Sequence, residues 1–437
     1  MIGGGAVGLC AAEALSARDC EVTVLERDRC GAGASAGNAG WITPSLSTPV
    51  PGPGVIAASL RWLVDPSGPL WIRPTLSPAL LDWIARFIVN CRRSTYERGL
   101  LALQRASGRA GAAFDALAAR GVEFEQHEDA LLYPCLDHAE LEHVWHLGQE
   151  LGRAGSTQRF ERLSGDEVRG LEPAVSAEVI GGVLAHGERR VRPELLSAGV
   201  QRALVARGVE VLEHTPAARL AREGGGRWRV EGPGGAWRAD AVVIAGGVDS
   251  VRLLAEHGVQ LPIAAAKGYS RTYAPDPTGP RRPLYLEGQK VSVSVYDGGV
   301  RISGTLELGA RDLSLSTRRL AAITAATQRA LPGWRMPEAP RDWAGMRSLS
   351  PDGLPYIGAV PGLDGVHLAT AHATLGITLA PVTGELVAER LLEGTRGELL
   401  SAFDPARALR RSRHSISNRS GPSGVAATDK ANIGGST

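Results

Sequence analysis

Three glycines near the start of the chain are spaced as in dinucleotide-binding proteins. Gly3, Gly5 and Gly8 form the pattern Gly-x-Gly-x-x-Gly, and a stretch of helical character follows them. In this pattern the first glycine permits a tight turn, the second lets the backbone approach a pyrophosphate, and the third lets helix and strand pack closely. The N-terminus of the helix then offers free N–H groups and a partial positive charge to the phosphates. The motif predicts a strand–helix unit that binds a dinucleotide.

An acidic residue stands where a ribose ligand is expected. Glu26 follows the extended segment 21–25, roughly 20 residues after the glycine motif, as in dinucleotide-binding folds. A carboxylate at this place accepts a hydrogen bond from a ribose 2′-hydroxyl and repels a 2′-phosphate. The order of motif, helix, strand and acid strengthens the prediction.

Composition excludes several classes of partner. The chain has 437 residues, a formal net charge of +2 and 43% apolar residues, so neither nucleic acid nor an anionic surface is indicated. The five cysteines show no metal-binding spacing, and we expect reduced thiols, no metal site and a cytoplasmic location. No apolar run approaches the roughly 20 residues of a membrane span, and we expect no signal peptide or transmembrane segment.

Four further motifs follow in an order that is typical of one enzyme family. They are Gly37-Asn38-Ala39-Gly40 with Thr43-Pro44, Lys267-Gly268-Tyr269-Ser270, Trp343–Arg347 through Pro351–Gly358, and His372-x-Thr374-Leu375-Gly376. On these motifs, residues 1–405 resemble the D-amino-acid oxidase and dehydrogenase superfamily of FAD enzymes, and within it the bacterial D-amino-acid dehydrogenases.

The resemblance implies an α/β fold in which a Rossmann-like FAD-binding domain carries an inserted antiparallel-sheet substrate domain of α+β type. We expect a discontinuous FAD-binding domain over residues 1–48, 165–262 and 340–405, and a substrate domain over 49–164 and 263–339. Residues 406–437 are low in complexity, which predicts a disordered tail. Residues 374–390 are expected to form a helix whose N-terminus points at the flavin, with Pro381 near its first turns.

The same resemblance assigns a non-covalent FAD site. Its expected cofactor-binding residues are Gly3, Gly5, Gly8, Glu26, Arg27, Ser35, Ala39, Gly40, Ala245, Gly246, Gly247, Gly345, Gly358, Thr374, Leu375 and Gly376.

Three residues are implied for the substrate side of the site. Arg347 matches a family arginine that pairs with the substrate carboxylate, for which a guanidinium is suited; the alternative is a surface salt bridge. Tyr269 matches a family tyrosine near the carboxylate or amine, but a core tyrosine fits equally well. His372 is expected beside the flavin, either as a donor to the ring or as a structural histidine. Tyr285 and Tyr296 are further pocket candidates on weaker grounds.

Two positions depart from the family pattern. Ala371 and Ala373 flank His372 where relatives usually carry glycine. If either position requires a positive φ, a methyl group there costs about 1 kcal/mol or more.

The implied reaction is oxidative deamination of a D-amino acid. A hydride leaves Cα for FAD, and the resulting imine hydrolyses to a 2-keto acid and ammonia. Two alternatives remain: an oxidase or dehydrogenase for glycine, sarcosine or a cyclic secondary amino acid such as hydroxyproline, and a non-catalytic relative.

The electron acceptor is left open between a quinone and oxygen. Five apolar residues could serve a quinone through peripheral contact with the inner face of the membrane, although a substrate lid or a core role is favoured for them. These residues are Trp62, Leu63, Leu70, Trp71 and Ile72.

Overall fold

The computed structural model describes residues 1–57, 59, 68–73, 77–310 and 312–409. Its strands are β1 Thr23–Leu25, β2 Trp41–Ile42, β3 Leu70–Ile72, β4 Gln126–Cys135, β5 Phe160–Ser164, β6 Gly181–Val191, β7 Glu210–Leu212, β8 Arg219–Arg222, β9 Trp228–Gly232, β10 Gly235–Ala239, β11 Val242–Ile244, β12 Ala264–Tyr273, β13 Leu284–Leu286, β14 Val291–Tyr296, β15 Gly299–Leu308, β16 Arg341–Leu349, β17 Tyr356–Ala359 and β18 Val366–Thr370. Its α-helices are α1 Ala6–Ser16, α2 Pro78–Asn90, α3 Arg93–Gly108, α4 Ala110–Ala119, α5 His138–Arg153, α6 Gly165–Leu171, α7 Pro193–Ala206, α8 Ser250–Ala255, α9 Thr317–Ala330, α10 Ala380–Leu392 and α11 Glu398–Phe403.

The first sheet carries the glycine motif. β1 pairs with β7 and β11 with β18, both in parallel, and Ile2 bridges Leu25 and Ile244 in the parallel sense. β17 adds an antiparallel edge beside β18. Helices α1, α7 and α10 contribute buried apolar residues to the core on one face of this sheet. Short apolar strands with helices packed on them are the arrangement that the motif predicts.

The second sheet is largely antiparallel. Its strands run in the order β16-β12-β15-β14-β13-β4-β6-β2, with β3 added to β15 and β5 to β6. Helix α9 packs Leu320 and Ile323 into the core on one face, and α5 packs Leu141 and Val144 into a core on the other. Strands β12–β15, from the predicted substrate segment 263–339, therefore lie in the antiparallel sheet that the resemblance implies.

Sheet pairing differs from the predicted domain boundaries. The segments 1–48, 165–262 and 340–405 were assigned to the FAD-binding domain, yet their strands β2, β6 and β16 belong to the second sheet. β16 pairs with β12 without interruption, from Ala264 opposite Leu349 to Thr272 opposite Arg341. Conversely, α3 and α4, from the predicted substrate segment 49–164, pack in the core of the first sheet. The chain therefore crosses between the two sheets more often than predicted.

The segment around Pro381 also differs from the prediction. Helix α10 begins at Ala380, with Pro381 in its first turn, whereas Thr374–Gly376 lie before it in turns. The amide of Leu375 donates to the carbonyl of His372 at 2.8 Å, which closes one of these turns. The N-terminus of the helix is therefore set back from the His372 motif.

The apolar residues near β3 and the C-terminal tail are only partly described. Leu70 and Ile72 pack against the buried cluster that contains Trp83, while Trp62 and Leu63 lie outside the described residues. Residues 410–437 of the predicted tail also lie outside them. Arg407, which the prediction placed in the tail, pairs with Asp352 at 2.7 Å. No helix within the described part of the chain is long and apolar enough to cross a membrane.

Candidate active site

The glycine motif forms a tight loop between the first strand segment and α1. A Cβ on Gly3 would lie 2.6 Å from the carbonyl oxygen of Ala245, and a Cβ on Gly8 would lie 2.0 Å from the carbonyl oxygen of Gly3. Only glycine permits these two approaches. In contrast, a Cβ on Gly5 would meet nothing closer than Ser35 Oγ at 3.5 Å. The space in front of Gly5 is thus open for a ligand, as the motif requires.

Polar groups surround this loop. The carboxylate of Glu26 accepts hydrogen bonds from the amides of Gly4 at 2.6 Å and Asp28 at 2.9 Å. Ser35 Oγ accepts from the amide of Ala6, the first residue of α1, at 3.1 Å. Arg27 pairs with Asp249 at 2.7 Å, which joins the end of β1 to the segment after Gly247. Glu26 and Ser35 thus border the open space in front of Gly5, which we call the nucleotide cleft.

The segment Ala36–Gly40 connects this cleft to the second sheet. Arg301 on β15 donates from Nη1 to the carbonyls of Ala36 at 3.2 Å and Asn38 at 2.7 Å. Ser294 and Tyr296 on β14 both donate from their hydroxyls to the carbonyl of Ala39. We call Ala36–Gly40 the junction loop. Tyr296, predicted as a pocket residue, therefore anchors this loop.

Arg347 projects from β16, the strand whose Trp343 lies against Gly37 of the junction loop. A Cβ on Gly268, on the neighbouring strand β12, would lie 2.2 Å from its Nη1, so the guanidinium rests directly on that glycine. Nη1 donates to the carbonyl of Thr305 at 3.0 Å. No carboxylate in the described part of the chain pairs with Arg347, and burial lowers the pKa of its guanidinium. A cation without a protein anion is available to a carboxylate ligand.

Aromatic rings lie on the same side of the second sheet. The ring of Tyr285 makes edge-to-face contacts with Trp41 and with Tyr133, each at a centroid distance of 5.8 Å. Burial raises the pKa of Tyr285 well above its usual value, Glu287 adds to the rise, and the charge of Arg347 opposes it. Tyr285 therefore remains a neutral phenol. We call Trp41, Tyr133 and Tyr285 the aromatic group.

Tyr269 does not join Arg347. In the β12–β16 pairing Arg347 stands opposite Ala266, and Tyr269 opposite Ala344; side chains alternate along a strand, so the two residues point to opposite faces of the sheet. The hydroxyl of Tyr269 donates to Glu307 at 2.7 Å, and its ring packs in the core beneath α9. This placement corresponds to the core alternative.

His372 lies close to the strand of Arg347, but its side chain turns inward. It bridges Leu349, and the amide of Ala373 donates to the carbonyl of Ser348 at 2.9 Å. His372 Nε2 lies 2.9 Å from Thr383 Oγ1 on α10, and burial lowers the pKa of His372 to about 3. The histidine is therefore neutral and held by the helix.

A family model described as DAO, FAD dependent oxidoreductase, matches residues 1–390. The chain belongs to this family. The protein is thus an FAD-dependent oxidoreductase of the DAO family.

Two curated relatives of this DAO-family protein are both named D-amino acid dehydrogenase. D-amino acid dehydrogenase of Vibrio vulnificus YJ016 is 29% identical over 411 residues, which are 92% of this chain and 98% of the relative. D-amino acid dehydrogenase of Xanthobacter autotrophicus Py2 is 31% identical over 398 residues, covering 89% of this chain and 94% of the relative.

Solved structures agree with the fold of the DAO family. Glycine oxidase from Geobacillus kaustophilus superposes with a TM-score of 0.72 at 23% identity, covering 95% of this chain and 98% of that one. Iminodiacetate oxidase from Chelativorans sp. BNC1 superposes with a TM-score of 0.71 at 20% identity, covering 92% and 98%. At these identities the likeness concerns the fold.

The cleft suits FAD, the cofactor of the family. The open space at Gly5, the first-turn amides of α1 and the Glu26 carboxylate match a pyrophosphate and a ribose hydroxyl. The Ala245–Gly247 segment lies against the glycine loop, because a Cβ on Gly3 would lie 2.6 Å from the carbonyl oxygen of Ala245. Thr370 Oγ1 donates to the carbonyl of Gly247 at 3.0 Å.

Two residues that were predicted to bind FAD, Gly345 and Gly358, lie next to other parts of the structure. A Cβ on Gly345 would lie 2.1 Å from the indole of Trp343, and a Cβ on Gly37 would lie 2.0 Å from the same ring. The absence of a side chain at Gly345 thus leaves space for the indole of Trp343, which contacts the junction loop at Gly37. Gly358 instead lines a cavity of about 300 Å³ with Pro361, Arg390 and other residues.

Several residues of this region could not be found from the sequence. Trp41, Tyr133 and Arg301 had no motif of their own, because their roles depend on pairing between distant strands. Trp343 stood in a motif, but no role was predicted for it. Glu188 is another: it is 2% exposed, and burial raises its pKa to about 8.

A second group that the sequence did not indicate lies at the ends of β4 and β14. Glu125, His127 and Asp297 bring ligand-type atoms within 4.8 Å of one another. Glu125 Oε1 already contacts His127 Nε2 at 3.1 Å and accepts from the amide of Asp297 at 2.9 Å. These mutual bonds account for the grouping.

Proposed function

We propose that this flavoenzyme oxidatively deaminates D-amino acids. The observation that carries the proposal is the Arg347 guanidinium, which lacks a carboxylate partner among the described residues and interacts with the buried Tyr285 of the aromatic group. An α-amino acid supplies the missing anion. The names of the curated relatives support the D-configuration of the substrate.

Each group then has a role in holding the substrate. The planar fork of Arg347 binds the substrate carboxylate through two parallel hydrogen bonds. Tyr285, neutral because of burial, offers a hydroxyl and an apolar ring next to that cation, and Trp41 and Tyr133 extend the apolar wall for a side chain. Bound FAD supplies a hydride acceptor, and the imine released from the site hydrolyses to a 2-keto acid and ammonia. Most of the rate enhancement comes from fixing the orientation of Cα.

The glycine, sarcosine or hydroxyproline alternative differs in what fills the space at the aromatic group. Glycine leaves it empty, whereas a D-amino acid places a side chain there. The aromatic group is present in this protein, and its apolar surface favours a substrate that has a side chain.

The test is anaerobic reduction of the FAD-reconstituted protein. We expect D-amino acids to bleach the flavin faster than their L-enantiomers, glycine, sarcosine or hydroxyproline. Arg347→Gln is expected to lower kcat/KM by about two orders of magnitude, since charge-assisted hydrogen bonds are each worth about 1.5–3 kcal/mol. Arg341→Gln, an exposed arginine at the start of the same strand, serves as the control.

Two results would contradict the proposal. Faster reduction by glycine, sarcosine or hydroxyproline would favour the alternative substrates. A bound flavin that no amino acid reduces would indicate a non-catalytic relative.

The electron acceptor is a separate part of the proposal. Oxygen and a quinone are both considered, and peroxide production measured beside quinone reduction distinguishes them. Exposed apolar side chains on α2, at Leu81, Ile88 and Val89, support peripheral contact of a cytoplasmic enzyme with the inner face of the membrane. Flotation with liposomes tests this contact, and a protein that stays entirely in the unbound fraction would contradict it.

A further inference from the structure

Thr305 has an unusual backbone for its residue type. Its φ is +60°, in the left-handed region that a β-branched residue rarely adopts. The residue is 8% exposed, and its hydroxyl has no hydrogen-bond partner among the described residues. Such strain persists only where the surrounding structure imposes it.

The cause is a β-bulge in the ladder between β12 and β15. Lys267 pairs with Glu307 and Tyr269 with Gly304, so Gly268 alone stands opposite both Thr305 and Leu306. A bulge bends the strand locally and can redirect a group next to an active site. Here the redirected group is the carbonyl of Thr305.

That carbonyl accepts the hydrogen bond from Arg347 Nη1 at 3.0 Å. The guanidinium is therefore held from two sides: it rests on Gly268, where a Cβ would lie 2.2 Å from Nη1, and it is tied to the extra residue of the bulge. In a regular antiparallel ladder the carbonyls point in the plane of the sheet to neighbouring strands. The bulge frees one carbonyl for the arginine.

We propose that Thr305 is a positioning residue, whose left-handed bulge aims its carbonyl at Arg347 and so fixes the guanidinium for a substrate carboxylate. The inference rests on the proposed function, in which that carboxylate belongs to an amino acid. A bulge that only shapes the sheet would leave carboxylate binding unaffected, and this difference makes the two roles separable.

The test replaces Thr305 by glycine in the FAD-bound protein. Thr305→Gly keeps the carbonyl but removes the steric fixation of the bulge. We expect the melting temperature to rise by about 1–3 °C, because a left-handed non-glycine residue is removed. The dissociation constant for benzoate, measured by its perturbation of the flavin spectrum, should rise about tenfold, as for the loss of ~1.4 kcal/mol. FAD affinity should remain unchanged.

The matched control is Ala339→Gly. Ala339 also has a positive φ, of 54°, but it lies outside the bulge, so its variant should raise the melting temperature without changing the benzoate constant. In an Arg347→Lys background, Thr305→Gly should weaken benzoate binding no further, because the two residues act as one unit.

Benzoate carries no amine-bearing carbon, so its binding is independent of turnover. A benzoate constant within twofold of wild type in Thr305→Gly would overturn the inference. Failure of benzoate to perturb the wild-type flavin would overturn both this inference and the role of Arg347. A wild-type protein that binds benzoate but is not reduced by amino acids would contradict the proposed function alone.

Discussion

Two alanines next to His372 have a backbone that favours glycine. Ala371 has φ +62° and Ala373 has φ +51°, so the condition under which their methyl groups are costly is met in the structure. Ala371 is fully buried, and the amide of Ala373 is bonded to Ser348. The backbone here thus adopts a conformation that alanine fits less well than glycine.

We predict that Ala371→Gly and Ala373→Gly each stabilise the protein by about 0.5–1 kcal/mol. The left-handed penalty of about 1–2 kcal/mol exceeds the extra backbone entropy that glycine loses on folding. Urea denaturation of the FAD-bound variants measures the effect.

Ala112→Gly provides the control for this prediction. Ala112 is exposed within helix α4, where glycine should cost about 1 kcal/mol. Destabilisation by all three substitutions would contradict the account of strain at Ala371 and Ala373.

Residue types indicated the local contacts of the glycine loop better than the placement of side chains across the second sheet. Gly8 lies against the carbonyl of Gly3, and Glu26 accepts from the amide of Gly4, because these contacts are local to one strand–helix–strand unit. Tyr269 shows the limit. β12 is buried on both faces along most of its length, so alternation could not indicate which face carries Arg347, and the bulge at Thr305 left no sign in the sequence.

At the scale of elements, the junction loop depends on strands of the second sheet. Arg301 is 1% exposed, and besides the carbonyls of Ala36 and Asn38 it bonds Glu194 at 2.5 Å. One side chain thus fixes the loop that lies between the nucleotide cleft and the substrate pocket. A buried pair of this kind is costly to break.

We predict that Arg301→Lys lowers FAD affinity by about tenfold or more. An ammonium group retains the charge but cannot reach two carbonyls and a carboxylate with a planar fork, and a hydrogen bond to a charged group is worth about 1.5–3 kcal/mol. Titration of the apoprotein with FAD, followed by flavin fluorescence, measures the change.

Arg271→Lys is the matched control for Arg301. Arg271 is paired with Asp342 and bonded to Thr324 on α9, away from the junction loop. Equal loss of FAD affinity in both variants would mean that any paired arginine of this sheet has the same effect.

The predicted boundaries of helices and strands were wrong where short-range and long-range interactions compete. Residues 374–379 have a helical pattern, yet a turn closed by Leu375 and His372 precedes the helix. β2 has only two residues, and its pairing with β6 joins parts of the chain that are far apart in sequence. A local pattern contains no information on such a partner.

At the scale of the whole molecule, Glu188 links stability to pH. Its pKa rises from 4.5 to about 8 because of burial, although bonds from Ser45 oppose the rise. In the unfolded chain the carboxyl ionises near pH 4.5, so the folded state binds more protons between that pH and about 8. The contribution of Glu188 to the free energy of unfolding is therefore fully present below pH 4.5 and is lost as the pH rises through this interval.

We predict that Glu188→Gln removes this loss. The difference in free energy of unfolding between variant and wild type should increase with pH from 5 to 8, by at most about 1.4 kcal/mol per pH unit. Urea denaturation at several pH values measures it. Glu178→Gln, at an exposed position, should show no such trend, and parallel curves for Glu188→Gln and wild type would contradict the prediction.

The fold class could be predicted from the sequence, whereas the pairing of strands across the predicted domain boundaries could not. The second sheet takes β2, β6 and β16 from segments that the sequence assigned to the FAD-binding domain, and β16 pairs continuously with β12. Arg347, the arginine proposed to bind the substrate, therefore lies on a strand of the second sheet, and local periodicity cannot reveal this placement.

The contact between Trp343 and the junction loop has an optical consequence. Its indole ring lies against Gly37 and Gly345, next to the cleft that holds FAD. Tryptophan emission overlaps flavin absorption, so energy transfer from this ring should report cofactor loading directly. If the quenching of tryptophan emission disappears in Trp343→Phe, the signal comes from this side chain. The efficiency of energy transfer would then measure the distance between Trp343 and the flavin.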